Sequence, residues 1–183
     1  MTQQQPLGVA PHPDPLPASA GRGERGTETE AAARAAIVAA ARSWIGTPYH
    51  NCADIKGVGV DCGMLLVRVF VDTGLCPPFD PRPYSPDWHL HRGGERYLDF
   101  LLKRCAEVER PQAGDVMMFH FGRCYSHGGV VTSAAPPIAP NGAPRVFIVH
   151  AYRQTQYVIE EAVAGNGQLS DPKRKPRFFS LWH

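Results

Sequence analysis

After Asp61 the chain runs Cys62, Gly63, Met64, Leu65, Leu66, Val67, Arg68, Val69, Phe70, Val71, Asp72 and Thr73 before it reaches Gly74, and this run constrains the fold more than any other. It is apolar on nearly every face, and a helix of that kind belongs at the centre of a domain. The β-branched content would equally suit a strand. Asp61 as N-cap, Gly74 as C-terminal stop and a length of about three turns decide for a helix.

The flanking sequence supplies the elements that cover it. Thr27 followed by Glu30 is a capping-box signature, and the Ala-rich run to Ile45 stops at Gly46, so a first helix is expected there, with Pro48 barring its continuation. Residues 77–86 read as a proline-rich loop. A further helix is expected from Gly94 or Glu95 to Cys105, with Tyr97, Leu98, Leu101 and Leu102 as its buried stripe. From Asp115 onward the period changes. Val116 to Phe121, Gly128 to Thr132, Val146 to Tyr152, Tyr157 to Ala162 and Phe178 to Trp182 are short β-rich runs separated by Gly, Pro and Asn. Helices first and strands afterwards predict an α+β fold whose central helix packs on an antiparallel sheet of about five strands.

Composition sets the outer bounds. A chain of 183 residues suits one domain. Five of its 18 prolines lie between Pro6 and Pro17, and no aromatic residue precedes Trp44, so residues 1–27 are expected to be a disordered Pro/Gly-rich tail and 28–183 the folded domain. Lys and Arg number 19 against 17 Asp and Glu, a balance that speaks against a nucleic-acid binder. No apolar run is long enough for a membrane span, and the start lacks the basic and apolar regions of a secretory signal, so synthesis in the cytoplasm without a signal peptide is expected. The five cysteines are then read as thiols.

Among those thiols Cys62 stands out by position. It opens the central helix, where unpaired backbone N–H groups and the helix dipole favour a thiolate. By residue type alone a small buried hydrophobe is the commoner role. Cys105 falls in an amphipathic helix, while Cys76 and Cys52 lie in loops. A thiolate nucleophile needs a histidine partner. His127 begins a strand and is followed by Gly128, Gly129, Val130 and Val131, while His150 ends the apolar run Val146 to Val149, placed to hydrogen-bond the far nitrogen of the first imidazole. Nucleophile on a helix, base on one strand and orienting residue on the next is the logic of a cysteine triad, although spacing alone leaves both histidines open to structural roles.

Read together, Trp44 to Tyr49, Gly57 to Val60, Asp61-Cys62-Gly63, Pro111 to Val116, His127 to Val131 and Val149-His150-Ala151 resemble, in the same order, the NlpC family of papain-like cell-wall cysteine peptidases. The Gly-Thr-Pro-Tyr opening and the segment Tyr84 to Trp88 look most like its phage-tail and gene-transfer-agent branch. The resemblance spans about residues 30 to 182. It implies a papain-like fold, Cys62 as nucleophile, His127 as base and His150 as the residue that orients it.

The same resemblance places Tyr49 beside the nucleophile, holding the oxyanion or substrate; a half-buried turn tyrosine is the alternative. Asp61 matches an acidic residue that in some members meets a free substrate amine, yet capping the helix would account for it equally. Family members usually carry Ser where this chain has Gly63, which removes a hydroxyl from the pocket lining. The implied substrate is a peptidoglycan stem peptide, cut between γ-D-glutamyl and the diamino acid, with other phage-like particle proteins as partners and delivery to the cell wall in a particle tail. No metal or organic cofactor is required. The alternatives are an inactive tail or adaptor protein, and a thiol acyl hydrolase, acyltransferase or tail-processing peptidase on the same fold.

Other groupings are read as structural. Asp115 belongs to the turn into the first sheet strand. His89 with His91, and His120 with Cys124 and His127, lack the spacing of a metal site. Lys173, Arg174, Lys175 and Arg177 form a basic, solvated loop.

Overall fold

The computed structural model describes residues 25–85, 94–135 and 145–182. Its elements, in chain order, are α1 (Arg25–Arg42), β1 (Asp54–Ile55), β2 (Gly59–Val60), α2 (Cys62–Asp72), α3 (Arg96–Leu102), β3 (Ala106–Val108), β4 (Val116–Phe121), β5 (Cys124–Ala135), β6 (Arg145–Tyr152), β7 (Tyr157–Ala162) and β8 (Arg177–Ser180). The fold is α+β, as expected. Strands β3 to β8 form one six-stranded sheet in the order β3-β8-β4-β5-β6-β7, and β1 with β2 forms a small separate ribbon. Every pair in the larger sheet is antiparallel.

The central helix forms for the reasons its sequence suggests. The Asp61 carboxylate accepts the Met64 N–H at 2.8 Å, which satisfies one of the donors a helix start leaves unpaired. At the other end Gly74 adopts φ 74°, and the N–H groups of Leu75 and Cys76 turn back to the carbonyl of Phe70. Met64, Leu65, Leu66, Val69 and Phe70 are buried. One edge of the helix does reach water, where Arg68 pairs with Asp72 at 2.6 Å one turn on.

Side chains alternate across the sheet. Val116, Met118, Val130, Val149, Ala151 and Phe179 join α1 and α2 in the larger core. Met117, Phe119, Val131, Ile148 and Tyr152 form a second cluster with Leu169 on the opposite face. The Gly128-Gly129 step lets both faces close tightly: a Cβ on Gly128 would stand 2.5 Å from Met118 Sδ, and one on Gly129 would stand 2.9 Å from His150 Cβ and from the Val149 carbonyl.

Several expectations shift at their boundaries. α1 starts at Arg25, so Thr27 lies in its first turn rather than at its cap. It ends at Arg42, because Trp44 and Ile45 close tighter turns onto Ala41 and Arg42 and Gly46 takes φ 85°. Residues 1–24 of the expected tail lie outside the described residues. α3 stops at Leu102, which is 49% exposed and not part of the buried stripe, and Cys105 follows the helix. β5 begins at Cys124, so His127 lies inside a strand; the turn at Gly122, with φ 64°, is tight enough to bring the pairing that far out. β8 runs from Arg177, ending short of Leu181 and Trp182. β3 was not expected because three residues carry no readable alternation; its pairing with β8 defines it.

Candidate active site

Five of the six candidate residues, Tyr49, Asp61, Cys62, Gly63 and His127, line one cleft. The sixth, His150, is fully buried behind His127. Cys62 arrives from the helix layer. The Sγ–H of Cys62 points to the Ser126 carbonyl at 3.8 Å, next to His127 on β5. His127 pairs in register with Phe119, and so stands on the sheet face away from α2, where β5 emerges from its turn. Cys62 and His127 thus come from opposite sides of the sheet, and both line the same cleft.

His127 Nε2 lies 2.8 Å from His150 Nδ1. The pair sits in an aromatic box: Phe119 and Phe121 flank His127, and Tyr152 stacks on His150 with ring centroids 4.9 Å apart. Burial, with smaller contributions from His150 and Arg174, holds the His127 imidazole well below its ordinary 6.5, so the ring is neutral at neutral pH.

The thiol departs from the sequence-based expectation of a stabilised thiolate. Burial first, and then the neighbouring Asp61 carboxylate, push the Cys62 pKa up to about 12, although the N–H groups of Gly128, Gly63 and Cys62 pull the other way. The helix start is present, but a charge taken out of water beside another negative group costs more than the helix end returns. The resting pair is a thiol and a neutral imidazole.

Asp61 is committed to structure. Its carboxylate accepts N–H bonds from Met64 and from Cys52, the latter at 2.6 Å, and the Tyr84 hydroxyl reaches both of its oxygens at 2.9 Å. At 3% exposure it caps α2 and ties it to the loop through Cys52. Burial raises its pKa against the pull of those hydrogen bonds. The absence of a side chain at Gly63 has a counterpart here: a Cβ on Gly63 would stand 3.4 Å from the Tyr84 hydroxyl, so Tyr84 places an OH group against the position where a side chain would begin.

Tyr49 is held on both sides, its N–H donating to the Gln156 carbonyl at 2.8 Å while the Pro48 carbonyl accepts from Val60 at 3.0 Å. Burial and the nearby Cys62 and Asp61 raise its pKa, which keeps the hydroxyl protonated and able to donate. Tyr97 on α3 donates its hydroxyl to the Cys62 carbonyl at 3.0 Å, fixing the first turn of α2. Sequence reasoning read Tyr97 only as core and Tyr84 only as part of a motif.

No family model matches the chain, and no curated protein matches it. Among solved structures, the chain is similar to the NlpC/p60 domain of the peptidoglycan hydrolase SagA, with 20% identity and a TM-score of 0.50 over 80% of this chain and 96% of that one. The chain has the NlpC/p60 fold. A similarity to an N-acetylmuramoyl-L-alanine amidase from Bacteroides uniformis has 12% identity and a TM-score of 0.49, over 81% of this chain and 98% of that one. On this NlpC/p60 fold the helix that carries Cys62 packs against β5 and β6, the strands that carry His127 and His150.

Of the other cysteines, Cys76 and Cys105 line the apolar part of the cleft. All five cysteines are free thiols. Among the described residues no group of three or more His, Cys, Asp or Glu could hold a metal ion; His89 and His91 lie outside them, as do residues 86–88 of the Tyr84 to Trp88 segment. His120 packs edge-on against Tyr125, and Cys124 is buried. Arg174 from the basic loop lies over the Phe121 ring at 3.8 Å.

Proposed function

We propose that the protein is a cysteine-dependent amide hydrolase acting on peptidoglycan stem peptides. The observation that carries this reading is the cleft shared by Cys62 and His127, with His127 backed by His150 at 2.8 Å. In the first step the proton leaves Sγ for the His127 nitrogen that His150 does not engage, and Sγ bonds to the substrate carbonyl carbon. The Cys62 N–H and the Tyr49 hydroxyl hold the resulting oxyanion. His127 returns its proton to the leaving amine as the C–N bond breaks, and then activates a water that releases the acyl group from sulfur. Because thiol and imidazole both start neutral, proton transfer accompanies attack rather than preceding it.

The substrate assignment draws on the shared fold with a peptidoglycan hydrolase domain and on the motif resemblance. The scissile bond is taken as γ-D-glutamyl to diamino acid, and the setting as a phage-like particle tail whose other proteins are its partners. With Asp61 already fully hydrogen-bonded, the free-amine contact is not part of this reading.

Purified sacculi treated with the protein should release new amino termini at least about 1000-fold faster than sacculi treated with Cys62→Ala, as expected when a nucleophile is removed. Mass analysis of the fragments identifies the bond. Equal release by both proteins would overturn the reading. The cleft between α2 and α3 is lined by Leu66, Val67, Phe70, Phe100 and Leu101, and this apolar wall favours, as second reading, a thiol acyl hydrolase. Turnover of aliphatic thioesters with intact sacculi would select it.

A further inference from the structure

We infer that Glu161 is the positioning residue that fixes where the histidine pair carries its protons. The inference rests on the reading of Cys62 and His127 as nucleophile and base. His150 Nε2 lies 2.9 Å from Glu161 Oε1 on β7. The register places them together: Ile148 pairs with Glu161 and His150 with Ile159, so the carboxylate stands on the sheet face that carries both histidines. The hydrogen bond from His150, and a smaller one from Asn166, hold the Glu161 pKa below the ordinary carboxylate value, so the group is ionised.

Proton positions then follow along the chain of contacts. A carboxylate has no hydrogen to give, so His150 Nε2 carries one. With His150 taken as a neutral imidazole protonated there, which the inference requires, its Nδ1 is bare, and that is the atom 2.8 Å from His127 Nε2. His127 therefore donates from Nε2, and its Nδ1 is left with a lone pair. A lone pair is what a base must offer to the Cys62 thiol. The opposite assignment would set a lone pair of His150 against the carboxylate and leave His127 with its hydrogen on Nδ1.

Glu161 is itself held. Its Oε1 also accepts from Asn166 Nδ2 at 2.8 Å, and Asn166 Oδ1 accepts the N–H groups of Gln168 and Leu169 at 2.9 and 3.0 Å. Leu169 is 1% exposed and anchors that loop in the second core cluster. The carboxylate touches no substrate; it acts through His150, in the manner of outer groups that set a ring's tautomer and orientation.

The test uses the whole chain and needs no peptidoglycan. Long-range nitrogen–proton spectra of protein with 15N-labelled histidine should show the Nε2–H tautomer for both His127 and His150. In Glu161→Gln, His150 should become a mixture of tautomers, and alkylation of Cys62 by iodoacetamide at pH 7, followed by peptide mass mapping, should slow about tenfold while the other four thiols keep their rates. An Nδ1–H tautomer at His150 in the wild type overturns the inference even if the variant does not fold. Unchanged tautomers and an unchanged Cys62 rate in a folded variant overturn it too. A protein that leaves sacculi intact but shows these tautomers and this slowing loses the substrate reading and keeps the proton lock.

Discussion

Two of the polar networks among the described residues end differently. Around Arg34 the guanidinium donates to Glu30, to Asp115 at 2.7 Å, to the Ala113 carbonyl and to the Ser180 hydroxyl, and its plane lies 4.4 Å from the Trp182 ring. Asp115 turns its other oxygen to the Gln112 N–H at 2.7 Å. That network is closed: it joins α1 to the turn before β4 and to β8. The Glu161–His150–His127 chain satisfies each nitrogen in succession until His127 Nδ1, which no described residue engages. A closed network positions elements, whereas a chain with one unspent lone pair beside a cleft can take a proton. Burial and hydrogen bonding are alike in both. The difference lies at the last atom.

Breaking the closed network should give the largest effect on stability. Arg34→Met leaves Asp115, 2% exposed, without its cation. Removing one partner of a buried pair costs about 3–5 kcal/mol. Urea denaturation should show that loss, and adding Asp115→Asn should recover part of it, since an amide is cheaper to bury alone than a carboxylate. In the folded protein the rate of Cys62 alkylation should stay within about twofold of wild type. A folded Arg34→Met protein whose Cys62 no longer reacts would show that the two networks are one.

The sequence made the closed network's parts legible only singly. Asp115 was readable as a turn residue, but Arg34 sits in an Ala-rich helix 81 positions away and its role depends on tertiary contact. Cys62 was legible because a cap, an apolar run and a glycine stop mark its helix locally. His150 was legible because Val146 to Val149 mark its strand. Glu161 was not, since the face a strand residue occupies follows from pairing: only the register of β6 with β7 sets it beside His150. The thiol's proton was misjudged for a related reason. Position at a helix start is written in the sequence, whereas the desolvation that outweighs it comes from the packing of α2 against β5 and β6.

A smaller effect is expected where the open chain meets the sheet. A Cβ on Gly129 would crowd His150 Cβ and the Val149 carbonyl at 2.9 Å, and backbone cannot yield as a side-chain tip can. Gly129→Ala should cost about 1–3 kcal/mol in overpacking. It should also displace His150, so Cys62 alkylation should slow in this variant, in contrast to Arg34→Met. A loss of stability with an unchanged alkylation rate would mean that the glycine serves the sheet alone.

The smallest effect is the dependence of stability on pH, and its sign separates the networks. His127 has a folded pKa well below 6.5, so as pH falls below 6.5 the unfolded chain takes up a proton that the folded one refuses. The free energy of unfolding should then decrease with falling pH, by at most about 1.4 kcal/mol per unit from this group. Glu161, lowered from 4.5, adds its own loss only as pH falls below that value, because its stabilisation is complete above it. Asp61, whose pKa is raised from 3.8, works in the opposite direction over the same acid range, since the folded form binds its proton first. On the alkaline side Cys62, raised to about 12, makes the folded chain hold a proton that the unfolded chain loses above about pH 8.5, so stability should fall again there. Arg34, whose already high pKa is raised, against the pull of burial, by its hydrogen bonds to Glu30 and Asp115, keeps its charge throughout. Urea midpoints between pH 7 and pH 5 should therefore fall less steeply in His127→Gln than in wild type, while Arg34→Met combined with Asp115→Asn, which leaves no unpaired buried carboxylate to titrate, should keep the wild-type slope. Equal slopes in wild type and His127→Gln would show that His127 takes its proton as readily folded as unfolded, and burial would then not lower its pKa.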